Sequence, residues 1–147
     1  MTPNRSVVAL VAGMLCVGAV LAAQSADTFT ARLIWVPISG ANRADVTGKG
    51  SATATLSGTR LTVAGSFEGL AAPATLARLH AGVAKAARGE AIGDLEITKA
   101  TSGTISGSVE LTAEQLEGLK QGRIYMQVHS EKGVAPDGSN LWGWFLP

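Results

Sequence analysis

The chain has 147 residues, of which 46% are hydrophobic, enough for one domain with its own core. Arg5 is the only charged residue before Asp27, and the chain beyond it balances 11 acidic residues against an equal number of basic ones. This neutrality argues against nucleic acid or an anionic membrane as a partner.

The N-terminal segment is typical of a secretory signal peptide. Arg5 precedes the apolar run VVALVAGMLCVGAVLAA at residues 7–23, and small residues follow it. We predict a signal peptide over residues 1–23, cleaved near Ala23, and a periplasmic or secreted protein. An uncleaved anchor helix is the alternative, but the run falls short of the roughly 20 residues that span a bilayer. No stable membrane insertion is expected after cleavage.

The only cysteine, Cys16, lies inside this run. Leu15 before it is not small, which argues against a lipid-modified cysteine. The domain predicted for residues 28–147 therefore has no thiol for a disulfide, a thiolate metal site or a nucleophile. Its stability must come from its core.

The domain alternates in short apolar and polar runs that are separated by glycine-rich turns. This pattern predicts strands over residues 28–36, 50–56, 60–67, 90–98, 104–111, 123–130 and 140–146, with a loop at 131–138. Residues 73–88 fit a helix or a strand, because alanines favour helix and Gly82 weakens it. Thr112 and Gln115 form a capping-box signature for a short helix that Gly122 ends. Many strands with one helix indicate an antiparallel sandwich or barrel.

The strand over residues 123–130 alternates with period two. Ile124, Met126 and Val128 point to one side, whereas Tyr125, Gln127 and His129 point to the other. We expect only the first side to face the core. Val128→Asp should then unfold the domain, and Gln127→Asp should be mild.

Leu119, Gly122, Tyr125, Val128, His129 and Ser130 resemble the L-x-x-G-x-x-Y-x-x-V-H-T signature of the CHRD domain, first described in chordin and common in exported microbial proteins. Other pieces follow in the family's order, namely Val36-Pro37, Phe67 to Leu70, Leu79-His80, the strand from Gly89, and Ser106-Gly107 ahead of Thr112. The resemblance favours a strand over residues 75–81. It implies an all-β, antiparallel Greek-key β-sandwich of immunoglobulin-like or superoxide-dismutase-like type, with one short helix and no established catalytic role.

The chain departs from the family pattern at two positions that bear on function. Arg78 stands where the family often has the first histidine of His-x-His, and Trp142 stands where arginine is usual. Copper-zinc superoxide dismutase builds its bimetal site from six histidines and an aspartate. With two histidines, this chain cannot build that site.

His80 and His129 are the candidate metal ligands, and either copper or zinc suits imidazole. Two ligands are too few for a durable site, so polar hydrogen-bonding residues are the preferred interpretation. Arg78, Tyr125 and Gln127 share the predicted face of these histidines. No cofactor is expected, with copper or zinc as the alternative, in which a dimer shares the ligands.

The last strand has two apolar faces, with Trp142 and Trp144 on one of them. It is either covered on both sides or exposes aromatic rings to a partner.

Ser106 lies on a strand outside any G-x-S-x-G elbow, which argues against a serine hydrolase. We therefore predict a non-enzymatic binding module for an extracellular or periplasmic protein or ligand. The tentative binding residues are Arg78, His80, Tyr125, Gln127, His129, Trp142 and Trp144.

Overall fold

The computed structural model describes residues 26–147, so the predicted signal peptide and Cys16 lie outside the described part. Eight strands and one helix follow one another along the chain. Their bounds are β1 Asp27–Trp35, β2 Lys49–Ser57, β3 Arg60–Glu68, β4 Ala74–Gly82, β5 Gly89–Ile97, β6 Gly103–Glu110, α1 Ala113–Lys120, β7 Ile124–Val134 and β8 Ser139–Trp144. Each predicted strand is confirmed, including the one that alanine content left ambiguous.

The strands close into an antiparallel barrel in the order β1-β2-β3-β6-β5-β4-β7-β8. The predicted sandwich of two separate sheets is therefore wrong, because the sheets join into a closed barrel. Two four-stranded sheets do form, but β1 also pairs with β8 through Ile34 opposite Trp142, and β5 pairs with β6 through Ile97 opposite Ile105. These short seams leave no open sheet edge between the halves. The order β3-β6-β5-β4 retains a Greek-key connection.

The barrel interior holds the main core. Inward side chains from all eight strands pack with Leu111 and with Leu119 of α1. The largest fully buried members include Leu33, Leu61 and Phe145. On β2 and β3 the opposite side chains are mostly exposed, as alternation predicts.

Strand β7 breaks the expected one-sided pattern. Its inward residues Ile124, Met126 and Val128 are fully buried, but Tyr125 and Gln127 on the opposite side are only 1% and 2% exposed. The expectation that Gln127 lies on an open polar face is therefore wrong. Aromatic side chains from β4 and β8 cover this outer side, which a single strand's pattern cannot show.

Local signals set the boundaries of two further elements. The Thr112 hydroxyl accepts from the Gln115 amide, and the Gln115 side chain accepts from the Thr112 amide, so the predicted capping box is confirmed. The loop predicted from residue 131 begins later, because β7 continues to Val134, which pairs with Ser139 of β8. In residues 26–147 no helix is long and apolar enough to cross a membrane.

Candidate functional site

The tentative binding residues meet on the outer side of β4, β7 and β8, which we call the outer face. Cross-strand register produces this arrangement, because His80 of β4 lies opposite Tyr125 of β7, which in turn lies opposite Trp144 of β8. In the neighbouring row, Arg78, Gln127 and Trp142 face one another in the same way. His129 and its partner Ser139 form a third row beyond Gln127.

The first row is a ladder of stacked rings. The ring centroids of His80 and Tyr125 lie 4.8 Å apart at 13°, and those of Tyr125 and Trp144 lie 5.0 Å apart at 29°. These separations match the spacing of neighbouring strands. Trp142 meets Trp144 nearly edge-on at 4.8 Å, and the Arg88 guanidinium lies 5.0 Å from the Trp142 ring centroid. The cluster explains why Tyr125 is buried outside the barrel.

A hydrogen-bonded chain joins the other two rows. The Gln127 amide donates to the Ser139 hydroxyl, which donates to Asp137 Oδ1 at 2.6 Å. The backbone carbonyl of Asp137 lies 3.1 Å from His129 Nδ1, and its carboxylate oxygen Oδ2 lies 3.7 Å from the same nitrogen. Burial raises the pKa of Asp137, but the hydrogen bonds from Ser139 outweigh it and lower that pKa overall. Asp137 is therefore held as a carboxylate beside His129.

Both histidines are oriented alike. His80 Nδ1 lies 3.1 Å from the carbonyl oxygen of Gly89, as His129 Nδ1 does from that of Asp137. Because a carbonyl oxygen only accepts, each Nδ1 carries the proton and each Nε2 is an acceptor in the neutral ring. Within residues 26–147, both Nε2 atoms are buried without a hydrogen-bond partner, as is Trp144 Nε1, a donor. The outer face therefore offers two acceptors and one donor with unmet hydrogen bonds.

The surroundings of His80 lower its pKa and so favour the neutral ring. Burial lowers its pKa most, and the charges of His129 and Arg78 lower it further, against the bond to Gly89. Arg78 Nε donates to Asp94 Oδ1 at 2.5 Å, and this bond lowers the pKa of Asp94 and raises that of Arg78. Arg78 therefore already has a carboxylate partner.

The histidines share the outer face but not a row. His129 lies four residues beyond Tyr125, the partner of His80, which separates them by about 13 Å along the strand at roughly 3.3 Å per residue. An ion bonded to both Nε2 atoms needs them about 4 Å apart. The rings would have to lean toward each other across Arg78 and Gln127. Among residues 26–147, no group of three or more histidine, cysteine, aspartate or glutamate residues could hold a metal ion.

The sequence predicted the aromatic residues and histidines of the outer face as binding residues. It did not indicate Asp94, Asp137, Ser139 or Arg88. Asp137-Gly138-Ser139 carries a turn signature that could have flagged Asp137, since aspartate often bonds the backbone two residues on. Its carboxylate indeed accepts from the Ser139 amide at 3.1 Å. Arg88 and Asp94 carry no local signal, because each meets its partner only through strand register or loop placement.

A family model for the CHRD domain matches residues 35–138, which cover most of the chain and all the outward residues of β4 and β7. No curated protein and no protein of solved structure matches the chain. The matched span includes the histidines, Tyr125 and the capped helix, and stops before Trp142 and Trp144. The chain therefore belongs to the CHRD domain family.

Proposed function

We propose that this CHRD domain is an exported, non-enzymatic binding module whose outer face holds an elongated polar ligand that extends along β7 from the row of His80 and Trp144 to His129. The observation that carries the proposal is a set of three buried ring nitrogens, on His80, His129 and Trp144, that have no hydrogen-bond partner in the described part of the chain. Buried polar groups in native proteins are nearly always hydrogen-bonded, and leaving one unmet costs about 1–3 kcal/mol. A ligand that displaces the side chains covering these nitrogens would relieve that cost.

The hydrogen-bond pattern favours a hydroxylated ligand. Each histidine Nε2 accepts and Trp144 Nε1 donates, and a hydroxyl group can both donate and accept. Half-buried Trp142 and Trp144 supply adjoining apolar surface. Export rests on the signal-peptide pattern of residues 1–23.

A binding role fits the outer face better than catalysis does. His129 beside Asp137 resembles the base and orienting acid of a hydrolase, but such a site needs a nucleophilic hydroxyl on the remaining ring nitrogen. His129 Nε2 has no such partner, and the nearby Ser139 hydroxyl donates to Asp137 instead. The pair of His129 and Asp137 therefore lacks the nucleophilic hydroxyl that a hydrolase would need.

A thermal-shift screen of linear polyols and short oligosaccharides against the purified mature domain tests the proposal. A ligand that raises Tm in the wild type should lose most of this effect in His129→Leu and in Trp144→Phe, which each remove one ring nitrogen. Trp35→Phe is the matched control, since Trp35 lies outside the outer face and bonds the Gly48 carbonyl. If every compound leaves Tm unchanged, or if all three variants lose the effect equally, the proposed site is wrong.

Copper or zinc binding is the second candidate. Its specific support is that both histidines bond a backbone carbonyl through Nδ1 and leave Nε2 free, the arrangement typical of metal-ligating histidines. Further ligands would have to come from water or a second chain. Elemental analysis of protein purified without chelator, followed by zinc titration of wild type and His80→Ala, separates this candidate from the first.

A further inference from the structure

Strand β1 separates from β2 before its end and so opens a groove on the barrel surface. β1 pairs with β2 as far as Leu33 opposite Gly50, after which Ile34 and Trp35 pair with β8 instead. The groove has a volume of about 520 Å³ and is lined by residues 32–35 and 48–50. It is a consequence of the short seam that closes the barrel.

This groove exposes large apolar side chains. Ile34 and Trp35 are each 51% exposed, and they are two of the four large hydrophobic residues exposed in the described part of the chain. The Trp35 indole nitrogen donates to the Gly48 carbonyl at 2.8 Å, which fixes the ring against the groove. Ile34 lies opposite Trp142, so the apolar surface continues onto β8. Such a patch on a folded domain indicates an interaction site.

The charge beside this surface is positive and not neutralised. Arg32 lines the groove, and the Arg88 guanidinium lies over Trp142. Neither arginine forms an ion pair within residues 26–147, and the preceding residues contain no aspartate or glutamate. Lys49 is paired with Glu68 at 3.3 Å. The two arginines are therefore available to an acidic partner.

We propose that the groove of residues 32–35 and 48–50, together with Trp142 and Arg88, binds an acidic, partly apolar segment of another protein. Tryptophan and arginine are the residues that most often dominate protein interfaces, and complementary charge sets partner choice and association rate. The concave groove suits a chain segment better than a flat bilayer. This surface shares Trp142 with the outer face but includes none of its unpartnered nitrogens. Arg32 and Trp35 lie outside the outer face, so their substitution tests this proposal without testing the first.

Selection from a library of short random peptides tests the inference on the purified mature domain. Selected peptides should be rich in aspartate and glutamate, carry a large apolar residue, and bind more weakly as salt rises. Arg32→Glu and Arg88→Glu should each lower the affinity for a selected peptide by about tenfold, as expected of interface charges. Both side chains are exposed, so the two variants should have the same Tm as the wild type.

Lys120→Glu is the matched control, because it makes the same charge change on exposed α1 and should leave binding within about twofold. Trp35→Ala should abolish binding without changing net charge. Neutral or basic selected peptides, no selected peptides, or equal losses in Lys120→Glu and Arg32→Glu would overturn the inference. So would arginine-dependent binding to phosphatidylglycerol vesicles with no peptide binding, which would assign the surface to a membrane.

Discussion

Because β7 is covered on both sides, adjacent substitutions along it should be equally harmful. Gln127 is 2% exposed on the outer side and Val128 is fully buried in the barrel. We predict that Gln127→Asp and Val128→Asp both destabilise the domain severely. An open outer side would instead make the first substitution mild.

The expected loss of stability follows from the buried environment that each new carboxylate would enter. Burying a charge without a partner costs several kcal/mol, against a total stability of about 5–15 kcal/mol. Gln127→Asp also removes the bond to Ser139, which is worth about 0.5–1.5 kcal/mol. It places a second carboxylate near Asp137, which already accepts from Ser139. We expect a loss of at least about 3 kcal/mol at either position.

Urea unfolding followed by tryptophan fluorescence measures these losses. Thr53→Asp is the control, since Thr53 is an exposed strand residue between Thr30 and Ala64 and should cost no more than about 1 kcal/mol. If Gln127→Asp falls within about 1 kcal/mol of Thr53→Asp, the outer side of β7 is open to water and the reasoning fails.

Three further predictions concern pH, backbone packing and export. Burial lowers the pKa of His80, so the stability from its neutral ring is present above the unfolded-state pKa of about 6.5 and is lost as the pH falls from there toward the folded-state pKa. The unfolding midpoint should drop on acidification, and His80→Gln should flatten that drop, whereas an unchanged profile would contradict the burial argument. Gly89→Ala should cost about 1–3 kcal/mol or more, because its Cβ would lie 1.8 Å from the Ala81 carbonyl oxygen. Gly40→Ala, with nothing within 4 Å of its Cβ, should change unfolding by less than about 0.5 kcal/mol. Mass spectrometry of the exported protein should find an N-terminus near Ala23, and a membrane-bound product that retains Met1 would refute cleavage.

The sequence predicted the elements well because their signals are local. Alternation marked every strand except β4, for which the family resemblance decided between helix and strand, and the Thr112 and Gln115 pair marked the helix start. A glycine-containing turn separated the predicted strands over residues 50–56 and 60–67, and Gly58 in this turn adopts a positive φ of 62°. Barrel closure could not be predicted in the same way. It depends on pairing between β1 at one end of the domain and β8 at the other, and no local pattern encodes that register.

The burial of the outer face could not be predicted from the local sequence pattern. Period-two alternation correctly placed Tyr125, Gln127 and His129 on one side of β7, but polarity suggested that this side is open. Trp142 and Trp144 lie beside Gln127 and Tyr125 only because β8 pairs with β7, and His129 is likewise brought beside Ser139 by this pairing. A polar residue in a strand is thus compatible with burial wherever a neighbouring strand brings large rings to the same side.

Strand β8 connects the fold to both proposed surfaces. Its inward residue Leu141 and the following Phe145 are fully buried in the core, whereas outward Trp142 and Trp144 are half-buried. The core and the proposed binding surfaces thus use alternate residues of one strand. Leu141→Ala should therefore cost about 2–5 kcal/mol through a cavity in the barrel. Losses of binding in Trp144→Phe, which keeps an aromatic ring in the stack, can then be attributed to the missing indole nitrogen rather than to unfolding.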